Sequence, residues 1–191
     1  MRAALFALPL LVLPALAEAQ APRPPGRAEE NRRAELDSLF EGLKAAPDDA
    51  AAAMMEARIR ALWIEGASPA AVLLLRRGVR NLAARTHDEA LEDFDAALIL
   101  APQSAEAWHQ RAQAHAAMGD AAAAARDLQE TLRLEPRHFG ALVTLSMLQE
   151  QAGDAAAALR SMEAALALHP RLRGGRERLR ELRRKAEGDA T

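Results

Sequence analysis

The chain has 191 residues, a formal net charge of −2, half of its residues hydrophobic, 3% aromatic and no cysteine. The lack of cysteine excludes disulfides, thiolate metal sites, haem attachment through paired thiols and a lipid-modified N-terminal cysteine, and the balanced charge excludes a nucleic-acid binder acting through bulk positive charge. Alanine makes up about a quarter of the chain and leucine about a seventh; both favour helices, β-branched residues are sparse, and the fold class expected is all-α.

In chain order, Met1 and Arg2 lead into an apolar run from Ala3 to Ala17, with small residues at Ala15, Ala17 and Ala19. A basic start, a short apolar stretch and a small-residue exit describe a secretory signal peptide over 1–19, cut after Ala17 or, preferably, Ala19. A retained anchor is the alternative, but the run is shorter than the roughly 20 residues that span a bilayer and Pro9 and Pro14 interrupt it. The expected location is periplasmic or secreted. Residues 20–29, with Pro22, Pro24 and Pro25, read as an extended linker.

Residues 30–69 read as a helical hairpin. Leu36, Leu39, Phe40 and Leu43 recur on one helical face; Pro47 breaks the chain; Met55, Ile59, Leu62 and Trp63 share the face of a second helix; Gly66 ends it and Ser68-Pro69 opens the next.

A fixed step of 34 residues then organises the chain. It links Pro102, Pro136 and Pro170; Ala90, Ala124 and Ala158; Leu98, Leu132 and Leu166; the small Gly78, Ala112 and Ser146; and the bulky Phe94, Leu128 and Met162. Gly119-Asp120 recurs as Gly153-Asp154. Each unit is predicted to be two helices joined by a tight turn, glycine closing the first in a left-handed conformation and aspartate capping the second. Thr86 takes that capping place in the 70–104 unit, with Glu89 three residues on. Prolines stop the second helices, and Ser104 caps the helix after Pro102.

These residues resemble the tetratricopeptide repeat. The 105–138 unit presents Trp108, Ala112, Gly119, Asp120, Ala124, Leu128 and Pro136 at the family's favoured positions, the 139–172 unit presents Leu142, Ser146, Gly153, Asp154, Ala158, Met162 and Pro170, and the 70–104 unit presents Leu74, Gly78, Ala90, Phe94 and Pro102. The resemblance implies an α-solenoid of stacked antiparallel hairpins, with 30–69 as a degenerate first unit and 173–191 as a basic capping helix and tail. It departs from the family where a tyrosine is usual and Asn81, His115 and Gln149 stand instead, which predicts thinner packing between paired helices.

The resemblance implies that the first helices line a groove for a protein or peptide partner. Mapped onto this chain, the groove carries Val72, Leu75 and Val79, then Glu106, His109 and Gln113, then Val143, Met147 and Glu150. The first group is apolar, and the 30–69 hairpin is expected to cover it; a docking site for a partner helix or a second copy is the alternative, so self-association stays open. The mapped positions hold no Lys, Arg or Asn, so no clamp for a C-terminal carboxylate is expected. Residues 171–185 carry eight basic side chains. They read as a solubilising cap, or else as a weak handle for anionic membranes.

No catalytic set is present: no nucleophile elbow, no phosphate loop and no zinc-helix spacing. His138 and His169 flank repeat junctions and are expected to be solvent-exposed. The expected function is a non-enzymatic binding module of the cell envelope without cofactor, metal or nucleic acid, and the alternative is an accessory factor at the membrane face.

Overall fold

The structure is a computed structural model and describes residues 26–188; the leader and nearly all of the proline-rich linker lie outside the described residues. Among these residues there are nine α-helices and no strand. They are α1 (Arg27–Lys44), α2 (Asp49–Glu65), α3 (Pro69–Ala83), α4 (His87–Leu100), α5 (Ala105–Ala117), α6 (Ala121–Leu134), α7 (Phe139–Gln151), α8 (Ala155–Leu168) and α9 (Gly175–Gly188). No described helix is long and apolar enough to cross a membrane.

The 34-residue step reappears as geometry. Gly119 and Gly153 adopt φ of +82° and +83°, where a side chain would be strained. Asp120 and Asp154 then accept from Ala123 N and Ala157 N, each at 2.8 Å. The earlier unit reaches the same turn differently. Arg85 takes the left-handed place, with φ of 64°. Thr86 does not cap α4; its hydroxyl instead donates back to Asn81 O at 3.3 Å, against expectation. Ser68, Ser104 and Asp48 cap α3, α5 and α2.

Helices α3 and α4, α5 and α6, and α7 and α8 pair as antiparallel hairpins; α4 packs on α5, α6 on α7, and α9 closes the series against α8. Small and bulky positions interlock. A Cβ on Gly78 would lie 2.5 Å from the Phe94 ring, and Ser146 lets α7 approach α8 so closely that its hydroxyl donates to Ala158 O at 2.7 Å. Leu182 of α9 is buried with Ala158 and Met162, and Val143 packs against them.

The paired helices are also held by polar bonds that repeat with the same step. Asn81 donates to Asp93 at 3.0 Å, His115 lies 3.8 Å from Asp127, and Ser161 donates to Gln149 at 2.6 Å. Arg77 pairs with Asp93, and Arg111 reaches both oxygens of Asp127 at 2.8 Å. Side chains standing where the family has tyrosine thus fasten the hairpins by hydrogen bonds, and the coupling is polar more than thin.

The α1–α2 hairpin does not stack as a first repeat. Its end touches α3 through Ile64, which packs near Leu74 and Leu75. Its own core of Leu36, Phe40, Leu43, Ile59, Leu62 and Trp63 takes in Phe139 from the start of α7, with Leu168 and Leu172 from the far end of the array beside it. The hairpin therefore lies across later repeats, and Leu73 and Val79 of α3 stay 65% and 43% exposed.

Candidate partner-binding site

The groove positions divide into three groups. Val79 and Met147 are open, at 43% and 48% exposure, and Val72 and Gln113 are half-buried. Leu75 sits in the core beside Phe94, and Val143 packs under α9, so neither presents a free surface. Glu150 is held by Arg178 and, at 2.6 Å, by Lys185 of α9. Glu106 and His109 are buried. The hairpin expected over Val72, Leu75 and Val79 covers the other part of the face: α2 packs on α5, not α3, because its aromatic residue finds its match further along.

That match is an aromatic seam. Trp63 of α2 stacks on His138 with ring centroids 4.1 Å apart and planes 13° apart. Phe139 is fully buried between Trp63 at 5.3 Å, Phe40 at 6.4 Å and the edge of His169 at 5.3 Å. The guanidinium of Arg60 covers Phe139, and that of Arg137 covers Phe40. His138 and His169 are buried, contrary to the solvent exposure expected of them. Their junctions are roofed by a hairpin that the repeat pattern does not place.

Ion pairs frame the seam. Arg137 meets Asp37 at 2.5 Å, Arg171 meets Asp49 at 2.9 Å and donates to Ala46 O at 2.8 Å, and His169 Nε2 meets Glu56 at 3.1 Å. The hairpin contributes the acids and the array the bases. The Glu56 carboxyl is held at about 2, chiefly by the hydrogen bond to His169 and then by Arg60, against the opposing effect of burial.

Under Trp63 lies a second polar layer. His138 Nδ1 caps α7 by accepting from Ala141 N at 3.1 Å. The proton therefore sits on Nε2, which donates to Glu106 at 3.1 Å. Burial pushes the Glu106 carboxyl up, and the bonds from His138 and Gln110 more than offset it, leaving it at about 2. Burial first, and then the neighbouring His138, lower His109 to about 3, so its ring is neutral near pH 7 and bonds Thr144 at 3.1 Å and Gln113 at 3.0 Å.

Glu106, His109 and His138 bring ligand atoms within 4.8 Å of one another, a grouping that spacing alone did not reveal. A histidine that ligates a metal normally donates its other N–H outward. His138 instead accepts at Nδ1 and carries its proton at the nitrogen facing the cluster. The geometry is that of a hydrogen-bonded carboxylate–imidazole pair.

The basic tail is largely spent on the protein itself. Besides Arg178 and Lys185, Arg180 pairs with Glu177 and Arg183 with Glu163. The residues that sequence reasoning missed, Trp63, Arg137, His138, Phe139, His169 and Arg171, lie in α2 and the inter-repeat turns. A signal was present in the seven-residue spacing of Asp49, Glu56 and Trp63, which places all three on one stripe of α2.

Comparisons agree with this architecture. The tetratricopeptide repeat family model matches residues 105–138. A tetratricopeptide repeat-containing protein of Rhizobium etli is 33% identical over 150 residues, covering 72% of this chain and 74% of that protein. Among solved structures, the first such domain of Spaghetti (RPAP3), bound to an HSP90 peptide, superposes with a TM-score of 0.59 at 19% identity, covering 65% of this chain and 96% of that one. The type III secretion chaperone SycD of Yersinia enterocolitica, in complex with a peptide of the translocator YopD, gives 0.55 at 15% identity, covering 65% and 95%.

Proposed function

The chain belongs to the tetratricopeptide repeat family, and we propose that it is a non-catalytic protein-interaction module of the cell envelope, holding a segment of a partner protein on the face formed by α5, α7 and the inter-repeat turns. The observation that carries this reading is that the face already holds a helical hairpin through an aromatic seam and sign-matched ion pairs. Two structural relatives hold peptides, one of HSP90 and one of YopD. Export is supported by the basic, apolar and small-residue pattern of residues 1–19.

The test is capture from a cell-envelope extract with tagged protein beginning at Gln20, against a Val79→Glu/Met147→Glu variant that alters only exposed groove positions. A partner retained by the parent and lost by the variant, with helicity unchanged, supports the reading. Equal capture by both sinks the groove assignment. A fusion of residues 1–40 to a reporter that is active only after export tests location separately, and an inactive reporter removes the envelope from the proposal.

A further inference from the structure

Three buried side-chain polar atoms among the described residues lack a hydrogen-bond partner, and all three lie at or just beneath the α2 contact: Trp63 Nε1, His109 Nδ1 and His169 Nδ1. Elsewhere the array satisfies its buried groups closely, as Asp93, Asp127 and Ser161 show. Leaving a buried donor or acceptor unmatched is costly. The hairpin is thus an imperfect occupant of its own seat.

The seat is also charged in one sense. Arg137, His169 and Arg171 face it from the array, and Asp37, Asp49 and Glu56 answer from the hairpin. A cleft of about 640 Å³ opens beside Glu56, His169 and Arg171. Arg173 and Arg176 also line it, and neither makes an ion pair, so cationic capacity remains that the hairpin does not use. The stripe the hairpin presents is an acid, a second acid seven residues on and an aromatic seven beyond that, realised as Asp49, Glu56 and Trp63.

Resting on the interaction-module reading, we propose that this seat recognises an acidic amphipathic α-helix of a partner protein, and that the α1–α2 hairpin is a resident mimic which such a helix displaces. The partner helix carries two acids and an aromatic at seven-residue spacing. It gains over the resident by bringing carboxylate or amide oxygens to the imidazoles that α2 leaves unmatched. Displacement swings the hairpin about the short Gly66–Ser68 connection. Because the resident is tethered, its high effective concentration sets the threshold a partner must exceed.

The probe is a fluorescein-labelled synthetic peptide of residues 47–66, with a second peptide carrying Asp49→Lys and Glu56→Lys as control. The protein is the full mature chain in three forms. The first is the parent. The second is opened by Glu56→Gln/Trp63→Ala, which alters only the resident. The third is locked by Asp37→Cys/Arg137→Cys joined with a flexible bismaleimide; no other thiol competes, since the chain has no cysteine. The opened form should bind the probe at least about tenfold more tightly than the parent, the locked form should not bind, and the control peptide should fail on all three. A folded opened form that binds no better than the parent, or equal binding of the charge-reversed peptide, overturns the proposal. So does an opened form that becomes a stable dimer by light scattering and ignores the peptide, because a second copy is then the occupant.

If the opened form unfolds, hydrogen exchange on the parent decides. Saturating probe should raise exchange in α1 and α2 while α5–α8 stay protected, and unchanged exchange overturns displacement. Probe binding with failed envelope capture would sink the envelope reading alone.

Discussion

Trp63 and His138, 75 residues apart in sequence, lie face to face at 4.1 Å, and this stack joins the hairpin to the repeat array. The same imidazole caps α7 and donates to Glu106, so one side chain couples docking, helix initiation and a buried carboxylate. Trp63→Ala removes the stack and opens a cavity. The loss should be about 3 kcal/mol, confined to the hairpin: hydrogen exchange should rise in α1 and α2 and stay slow in α5–α8. Uniform acceleration throughout would mean the two parts fold as one unit.

His138→Ala and His138→Asn separate the functions of that ring. Alanine loses the cap, worth about 1 kcal/mol, and leaves Glu106 buried without its main donor, a further loss on the order of 3 kcal/mol. Asparagine keeps a capping oxygen and should recover about the first of these. Urea denaturation of both variants checks the difference, and equal midpoints would refute the capping role.

Acid should loosen the protein in two steps. The His109 pKa is lowered to about 3 in the fold, so the unfolded chain takes up a proton first as pH falls below 6.5. Stability is full above that value and falls by about 2 kcal/mol by pH 5. The groups facing this ring are Glu106, Gln113, His138 and Thr144. Glu56, held at about 2, adds its loss below about pH 4.5, where only the unfolded carboxyl protonates. A His109→Asn variant should lack the first step in a pH series of thermal melts; persistence of that step would move its origin elsewhere.

Arg111 is the most heavily engaged arginine of the array. It binds both oxygens of buried Asp127, reaches Asp95 at 2.5 Å and lies 4.6 Å over the Trp108 ring. Asp127→Ala strands the charge of a mostly buried guanidinium and should cost about 3 kcal/mol, whereas Asp95→Ala, on the exposed side, should cost no more than about 1 kcal/mol. Thermal melts of the two variants measure the ratio.

Gly78→Ala tests the close approach of α3 and α4. The added methyl would meet the Phe94 ring at 2.5 Å. The helix gains propensity, but overpacking should win by about 1–2 kcal/mol. Ala112, which occupies the equivalent place opposite the smaller Leu128, shows that the array accepts a methyl there when the facing side chain shrinks.

The repeat units were legible because each position answers to its neighbours 34 residues away, and caps such as Asp120 and Asp154 follow from local chemistry. The seat of the hairpin was not legible for the same reason. His138, Phe139 and His169 stand where the repeat imposes no residue type, and their partners Trp63, Phe40 and Glu56 are about 75 to 113 positions distant. Periodicity identifies what repeats, and this contact occurs once. The polar ladder through Asn81, His115 and Gln149 was visible as a departure from the tyrosine pattern. Its partners Asp93, Asp127 and Ser161, each twelve residues on, could have been read from the same alignment of units.

The contact from Arg171 to Asp49 spans 122 residues, which fixes an order of events during synthesis. The hairpin is made first and its seat is completed last. At ribosomal rates of about 5–20 residues per second the interval is on the order of ten seconds. Throughout it, Phe40 and Trp63 have no array to cover them, and the nascent chain presents a short aromatic, acidic hairpin to whatever helper proteins attend its emergence.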